Sequence, residues 1–197
     1  MANYFRKGIY PARLDTVEYR TYAISSSNAT AVFVGDLVSA INDGSCAPST
    51  AGDATIVLGT VVELFDNTTN QGVPSNVNGV PVGMWSSSVG TKYLPALTAG
   101  WARVAIAKPG AIFIAQTSTI LTAAAINATT DTISGAGNTT TAQSGHTING
   151  GDLNTGGQML ILGPVVLPDN DITVAGAIWY VQFNESINMG VGKATGV

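Results

Sequence analysis

The sequence predicts an all-β protein, a sandwich or barrel preceded by an extended N-terminal arm. Short apolar segments follow one another at intervals of roughly 8–12 residues, the spacing typical of strands in sandwiches and barrels. Clusters of Gly, Pro, Asn and Asp separate these segments, and such residues favour turns. Evidence for helices is weak, because Thr and Ile lower the helix propensity of the best candidate, residues 119–127.

Eight apolar or alternating segments predict the strands of the body. Gly59 lies inside one of them, and we expect a bend or bulge there. Pro109 and Gly110 favour a type II turn between two others. The three tryptophans, Trp85, Trp101 and Trp179, are predicted to lie in the core. The predicted strands span residues 17–24, 31–41, 55–65, 80–85, 101–107, 111–116, 159–166 and 177–183.

Two stretches contain few residues that could contribute to a core. Residues 66–78 and 131–157 consist mainly of Asn, Thr, Ser and Gly. We expect long polar loops there, covered by neighbouring subunits, because long uncharged loops in compact domains are usually functional or ordered by a partner. The predicted organisation is an arm over residues 1–16 and a single domain over residues 17–197.

The chain carries unusually little charge. Charged residues make up 10% of the sequence and the formal net charge is −4, whereas soluble domains average roughly 25% charged residues. An acidic body is unsuited to direct nucleic-acid binding, which usually needs a basic face. No apolar segment approaches the roughly 18 residues that a membrane-spanning helix requires, so we expect no membrane partner. A surface this poor in charge favours an assembly.

The N-terminal arm is the most distinctive segment. The first 20 residues hold four of the eight Lys and Arg residues, and aromatic residues alternate with them. Aromatic and Arg side chains are enriched at protein interfaces, so we predict that the arm forms an interface with a protein partner or a neighbouring subunit. Nucleic-acid contacts and a disordered terminus are the alternatives. The predicted interface residues are Tyr4, Phe5, Arg6, Lys7, Tyr10 and Arg13.

Patterns that indicate chemistry are incomplete. One His and one Cys exclude the usual zinc sites. Asp169 and Asp171 resemble the start of a calcium loop, but Val174 occupies the required Gly position and Tyr180 the bidentate Glu position. We therefore predict a turn there, and no metal or cofactor.

A nucleophilic site would have to use His146, the only histidine. A triad with a distant Asp stays open, although the sequence contains no Gly-x-Ser-x-Gly motif. His146 lies in the polar stretch at 131–157, so the favoured prediction is a solvated loop histidine.

Several segments, taken in order, resemble a known family. They read AVFVGDLVS at 31–39, VLGTVVELF at 57–65, YLPA at 93–96, VAIAKPGAIFIAQ at 104–116, GNTTT at 137–141, GGQMLIL at 156–162, LPDND at 167–171 and WYVQFNE at 179–185. This order is similar to the head decoration, or cement, proteins of tailed bacteriophages. Lys108 departs from the family pattern, which often has an acidic pair before the Pro.

The resemblance implies a jelly-roll-like sandwich or barrel on the outer surface of the capsid of a virion. Such proteins are not enzymes and need no cofactor or metal. They stabilise the head by bridging capsomers of the major capsid protein. The resemblance also implies a homo-oligomer, with a trimer favoured over a dimer.

Two other classes of function stay open. One is another virion component, a tail or fibre subunit, although fibres usually show sequence repeats and none occurs here. The other is a carbohydrate-binding β-sandwich, which exposed aromatic residues would favour.

Overall fold

The computed structural model describes residues 7–13, 17–50, 57–66, 93–154 and 156–184. In this part of the chain the structure is nearly all β, as predicted, and its single helical element is a 3-10 turn at Ala123–Ala125. No helix in it has the length and apolar character needed to cross a membrane. The strands are β1 Ile9–Pro11, β2 Tyr19–Ile24, β3 Val32–Phe33, β4 Leu37–Ala40, β5 Cys46–Pro48, β6 Val57–Asp66, β7 Tyr93–Leu94, β8 Gly100–Ile106, β9 Ile112–Gln116, β10 Thr129–Asn138, β11 Gln143–Asn154, β12 Met159–Pro164 and β13 Ile178–Phe183.

The strands form three antiparallel sheets. A six-stranded sheet has the order β1-β9-β13-β12-β10-β11, and a five-stranded sheet has the order β2-β8-β6-β4-β5. Strands β3 and β7 form a separate pair. The large sheets curl into a half-barrel, and the edge strands β2 and β5 of the five-stranded sheet approach each other. The sandwich-or-barrel prediction is therefore confirmed.

Two apolar cores lie on opposite faces of the five-stranded sheet. The first fills the space between the two large sheets. It contains Trp179 and a perpendicular pair of rings, Phe113 and Phe183, whose centroids are 4.7 Å apart. The second core lies inside the curl and includes Val61, Val104 and Leu94. The five-stranded sheet consequently packs against an apolar core on each side.

The predicted turn at 108–110 is confirmed, and it carries the chain from one large sheet to the other. Gly110 has a φ of 81°, and the Ala111 N–H donates to the Lys108 carbonyl at 3.1 Å. This is the conformation of a type II turn, which requires a positive φ at its third position. Lys108 also pairs with Glu18.

Strand β1 also connects the two large sheets. Its residues fall inside the predicted arm. It pairs with β9 through Ile9 and Ala115. On its opposite edge, the Ile9 N–H donates to the Gly35 carbonyl at 2.9 Å, and the Thr60 hydroxyl donates to the Ile9 carbonyl at 2.5 Å. Ile9 is completely buried. The arm predicted over residues 1–16 is thus partly a strand of the body.

The long polar loop predicted over 131–157 is wrong. Strands β10 and β11 form an antiparallel hairpin there, which contributes the end of the six-stranded sheet. A buried Thr of the hairpin is paired with a Gln that precedes β12: Thr132 donates from both its N–H and its hydroxyl to Gln158 Oε1, at 3.1 and 2.6 Å. Hydrogen bonding lets polar residues occupy buried strand positions. The loop predicted at 66–78 lies outside the described residues, apart from Asp66 at the end of β6.

The tryptophan predictions have different outcomes. Trp179 is fully buried in the first core, as predicted. Trp101, on β8, is only half-buried. Trp85 and the strand predicted over 80–85 lie outside the described residues.

Gly59 and Gly163 provide a matched test of packing at the predicted bulge. Their φ angles are 157° and 155°, and the β4–β6 register shifts next to Gly59. A Cβ at Gly59 would collide with the Ala105 carbonyl, whereas at Gly163 it would meet nothing within 4 Å. We expect Gly59→Ala to lower the free energy of unfolding by about 2 kcal/mol more than Gly163→Ala, because overpacking costs about 1–3 kcal/mol. Urea denaturation measures both, and equal losses would contradict the packing argument.

Candidate functional site

The predicted arm interface is only partly described. Tyr4, Phe5 and Arg6 lie outside the described residues, while Lys7 and Arg13 are exposed on either side of β1. Tyr10 contacts the body. Its hydroxyl donates to the Lys7 carbonyl at 2.8 Å, and its ring lies against Gly8 and Gly35. Tyr10 therefore anchors the start of the chain to the turn before β4, whereas the two cations remain on the surface.

An uncharged surface covers the outer side of β9, β13 and β12 in the six-stranded sheet, opposite the first core. We call it the outer face. Its side chains alternate with buried residues of the same strands and lie side by side through the pairing of β9, β13 and β12. Antiparallel sheets usually place polar residues on the side that faces water. Here the residues are Ile112, Ile114, Leu160, Tyr180 and Gln182.

A buried polar group joins the two large sheets. We call it the inter-sheet cluster, and it consists of Asp36, Ser144 and His146. Asp36 precedes β4 of the five-stranded sheet, and the other two residues lie on β11 of the six-stranded sheet. All three are at most 3% exposed. The prediction of a solvated loop histidine is therefore wrong, because pairing of β10 with β11 places His146 inside.

The hydrogen bonds of the inter-sheet cluster are well defined. The Ser144 hydroxyl donates to Asp36 Oδ1 at 2.5 Å, and the Phe33 N–H donates to Asp36 Oδ2 at 2.8 Å. The Leu37 N–H donates to His146 Nδ1 at 3.3 Å, and His146 Nε2 lies 3.8 Å from Asp36 Oδ1. The hairpin of β10 and β11 is thus held directly on the turn between β3 and β4.

Burial shifts both titratable groups of the cluster toward their neutral forms. Loss of solvation raises the pKa of Asp36 to about 6, although the hydrogen bonds from Ser144 and Phe33 oppose this. Loss of solvation also lowers the pKa of His146 to about 4. A charge is difficult to maintain in a low-dielectric interior, so a buried acid and a buried base both resist ionisation.

The cluster contains the residue types of a nucleophilic triad in a different arrangement. In a triad the imidazole accepts the proton of the nucleophile. Here the Ser144 hydroxyl donates to the carboxylate, and His146 Nδ1 accepts from a backbone N–H. Ser144 is also only 1% exposed. This geometry connects two sheets and does not present a nucleophile at the surface.

The turn predicted at 169–171 is confirmed. Asp171 accepts from the N–H and the hydroxyl of Thr173 at 2.9 and 2.6 Å. Asn170 fastens the segment to the sheet by donating to the carbonyls of Val165 and Ile178. Within the residues that the structure describes, no three His, Cys, Asp or Glu side chains are grouped so that they could hold a metal ion.

Aromatic residues form a second surface. It lies on the part of the five-stranded sheet that the six-stranded sheet does not cover. Tyr19, Phe65 and Trp101 are half-buried and share one face of β2, β6 and β8. The Arg103 guanidinium lies 4.6 Å from the centre of the Tyr19 ring and donates to Glu63 at 3.1 Å.

Comparisons with known proteins do not identify a family. No protein-family model, curated protein or solved structure matches the chain. The resemblance to phage decoration proteins therefore stays a prediction.

Two serines with buried hydroxyl groups test what the inter-sheet cluster contributes to stability. We expect Ser144→Ala to lower the free energy of unfolding at pH 7 by about 2 kcal/mol, because hydrogen bonds to charged groups are worth about 1.5–3 kcal/mol. Ser118→Ala is the control, since the buried Ser118 hydroxyl has no hydrogen-bond partner in the described structure. We expect that change to be nearly neutral. Urea denaturation gives both values, and equal effects would contradict the assignment.

Proposed function

We propose that this protein is a non-enzymatic structural component of a bacteriophage virion. It binds the outer surface of the capsid and stabilises the head by bridging capsomers of the major capsid protein. The outer face is the observation that carries this proposal. A sheet surface of this composition is suited to a protein partner, because the centres of interfaces are depleted in charge and enriched in apolar and aromatic residues.

The other features support the same proposal. The order of sequence segments resembles that of decoration proteins, and the all-β fold is compatible with that resemblance. The buried serine and histidine of the inter-sheet cluster have a structural role, so they do not favour an enzyme. Few charges on the chain favour a surface covered by partners. A homo-oligomer, with a trimer favoured, would multiply weak contacts with the capsid lattice into strong binding.

Sedimentation with expanded phage heads that lack the protein tests the outer face. Lysine at Ile112, which is 38% exposed, would place a charge on the outer face. We expect Ile112→Lys to weaken binding at least tenfold, because burying an unpaired charge at an interface costs more than about 1.4 kcal/mol. Leu97→Lys is the matched control, since Leu97 is 66% exposed in the turn before β8, away from the outer face. Equal binding by the two variants would reject this docking face.

Removing part of the arm tests its predicted interface residues. A deletion of residues 1–13 would remove β1 and with it the buried Ile9, so it would damage the body. A deletion of residues 1–6 removes Tyr4, Phe5 and Arg6 and keeps β1. We expect the shorter deletion to retain the fold and lose binding to heads. Wild-type binding by a folded chain without residues 1–6 would show that these three residues are not part of the interface.

Carbohydrate binding is the second candidate. The aromatic surface around Trp101 favours it, because sugar rings stack on aromatic side chains and hydrogen-bond to neighbouring polar groups such as Glu63 and Arg103. Binding to a glycan array without binding to heads would favour this function over the first.

A further inference from the structure

The inter-sheet cluster contains a buried acid, Asp36, and a buried base, His146. It lies where side chains of β11 contact the turn before β4 and the first residue of β4. We infer that the cluster of Asp36, Ser144 and His146 can take up one proton and still connect the two sheets. It therefore holds the β10–β11 hairpin in place in both neutral and mildly acidic solution. This inference does not depend on the proposed function.

The backbone fixes where the imidazole can carry its proton. The Leu37 N–H points at His146 Nδ1, 3.3 Å away, so Nδ1 must be an acceptor and the proton of the neutral ring lies on Nε2. That proton faces Asp36 Oδ1 at 3.8 Å. A second proton on Nδ1 would bring two donors together and break the hydrogen bond to Leu37. His146 therefore disfavours protonation in the folded chain.

Asp36 is the site that can accept the proton while its contact with Ser144 is kept. Above its pKa of about 6, the carboxylate accepts the Ser144 hydroxyl at Oδ1 and the Phe33 N–H at Oδ2. One proton taken from solvent at Oδ1 converts the group to a carboxylic acid. The Ser144 oxygen already accepts from the His146 backbone N–H at 3.0 Å, and after rotation of the hydroxyl it can also accept from this acid, because a hydroxyl has two acceptor lone pairs. The bond between the two oxygens persists while its direction reverses.

Other charged groups have little influence on this pair. The shifts of Asp36 and His146 arise from burial and, for Asp36, from the hydrogen bonds of Ser144 and Phe33, with no charged neighbour among the causes. From the elements packed against the cluster, the titratable Tyr10 phenol of β1 lies against Gly35, next to Asp36. Thr60 of β6 donates to the Asp36 carbonyl at 3.3 Å and does not titrate.

The two groups act on stability in opposite directions as the pH falls. The pKa of His146 is about 4 in the folded chain and 6.5 in the unfolded chain, so the unfolded chain binds the proton first and stability is lost between pH 6.5 and 4. The pKa of Asp36 is about 6 folded and 3.8 unfolded. Its contribution is present below pH 3.8 and is lost as the pH rises through 6. Between these limits the two effects nearly cancel.

The first measurement uses the wild-type chain. Because it contains a single histidine, the imidazole signals in an NMR titration belong to His146. We expect the Nε2–H tautomer and a pKa near 4, together with titration of the Asp36 carboxyl carbon near pH 6. An imidazole that titrates near 6.5 in the folded chain, or carries its proton on Nδ1, would overturn the inference.

The second measurement compares unfolding equilibrium constants of four chains in urea at pH 6.5 and pH 4. Relative to wild type, the unfolding equilibrium constant of Asp36→Asn should rise on the order of 100-fold between pH 6.5 and pH 4, because one shifted proton changes this constant about tenfold per pH unit. That of His146→Gln should fall by a similar factor. The double variant should follow the wild type. The same pH dependence of the unfolding constant in all four chains would refute the cancellation. If a variant fails to fold, the NMR titration of the wild-type chain decides.

Discussion

The fold depends on the need to cover the five-stranded sheet on both faces. Adjacent residues of its strands enter different cores: Leu37 and Val57 belong to the first, and Val38 and Leu58 to the second. A sheet that is apolar on one side can leave its other side in water, but this one cannot. The six-stranded sheet covers one face, and the curl of the sheet with the β3–β7 pair covers the other. This requirement determines where the remaining strands lie.

Polar contacts add what apolar packing between these layers does not provide. Apolar contacts are non-directional and tolerate sliding, whereas hydrogen bonds require fixed partners. The inter-sheet cluster ties β11 to the turn before β4, and Thr60 ties β6 to β1. Buried polar groups of this kind favour a single arrangement when all are satisfied. A few specific hydrogen bonds thus add fixed points of contact between the two sheets.

The sequence predicts the fold class because alternation and turn residues are local signals. The turn at Pro109 and Gly110, the bulge beside Gly59 and the burial of Trp179 follow from such signals. The β10–β11 hairpin does not, because its buried polar residues are satisfied by partners far along the chain, as Ser144 is by Asp36. The outer face was also missed. Ile112, Leu160 and Tyr180 become neighbours only through the strand order β9-β13-β12, which periodicity alone does not reveal.

Strand β1 also has a consequence for synthesis of the chain. Ile9 pairs with Ala115, so its partner is made about 100 residues later. At translation rates of roughly 5–20 residues per second, the wait is about 5–20 seconds. During that interval β1 lacks its strand partner, although Gly35 and Thr60, which bond to Ile9 on the opposite edge, are already made. One edge of β1 therefore stays unpaired while the chain is on the ribosome, and closure of the sheet at β1 must follow the emergence of β9.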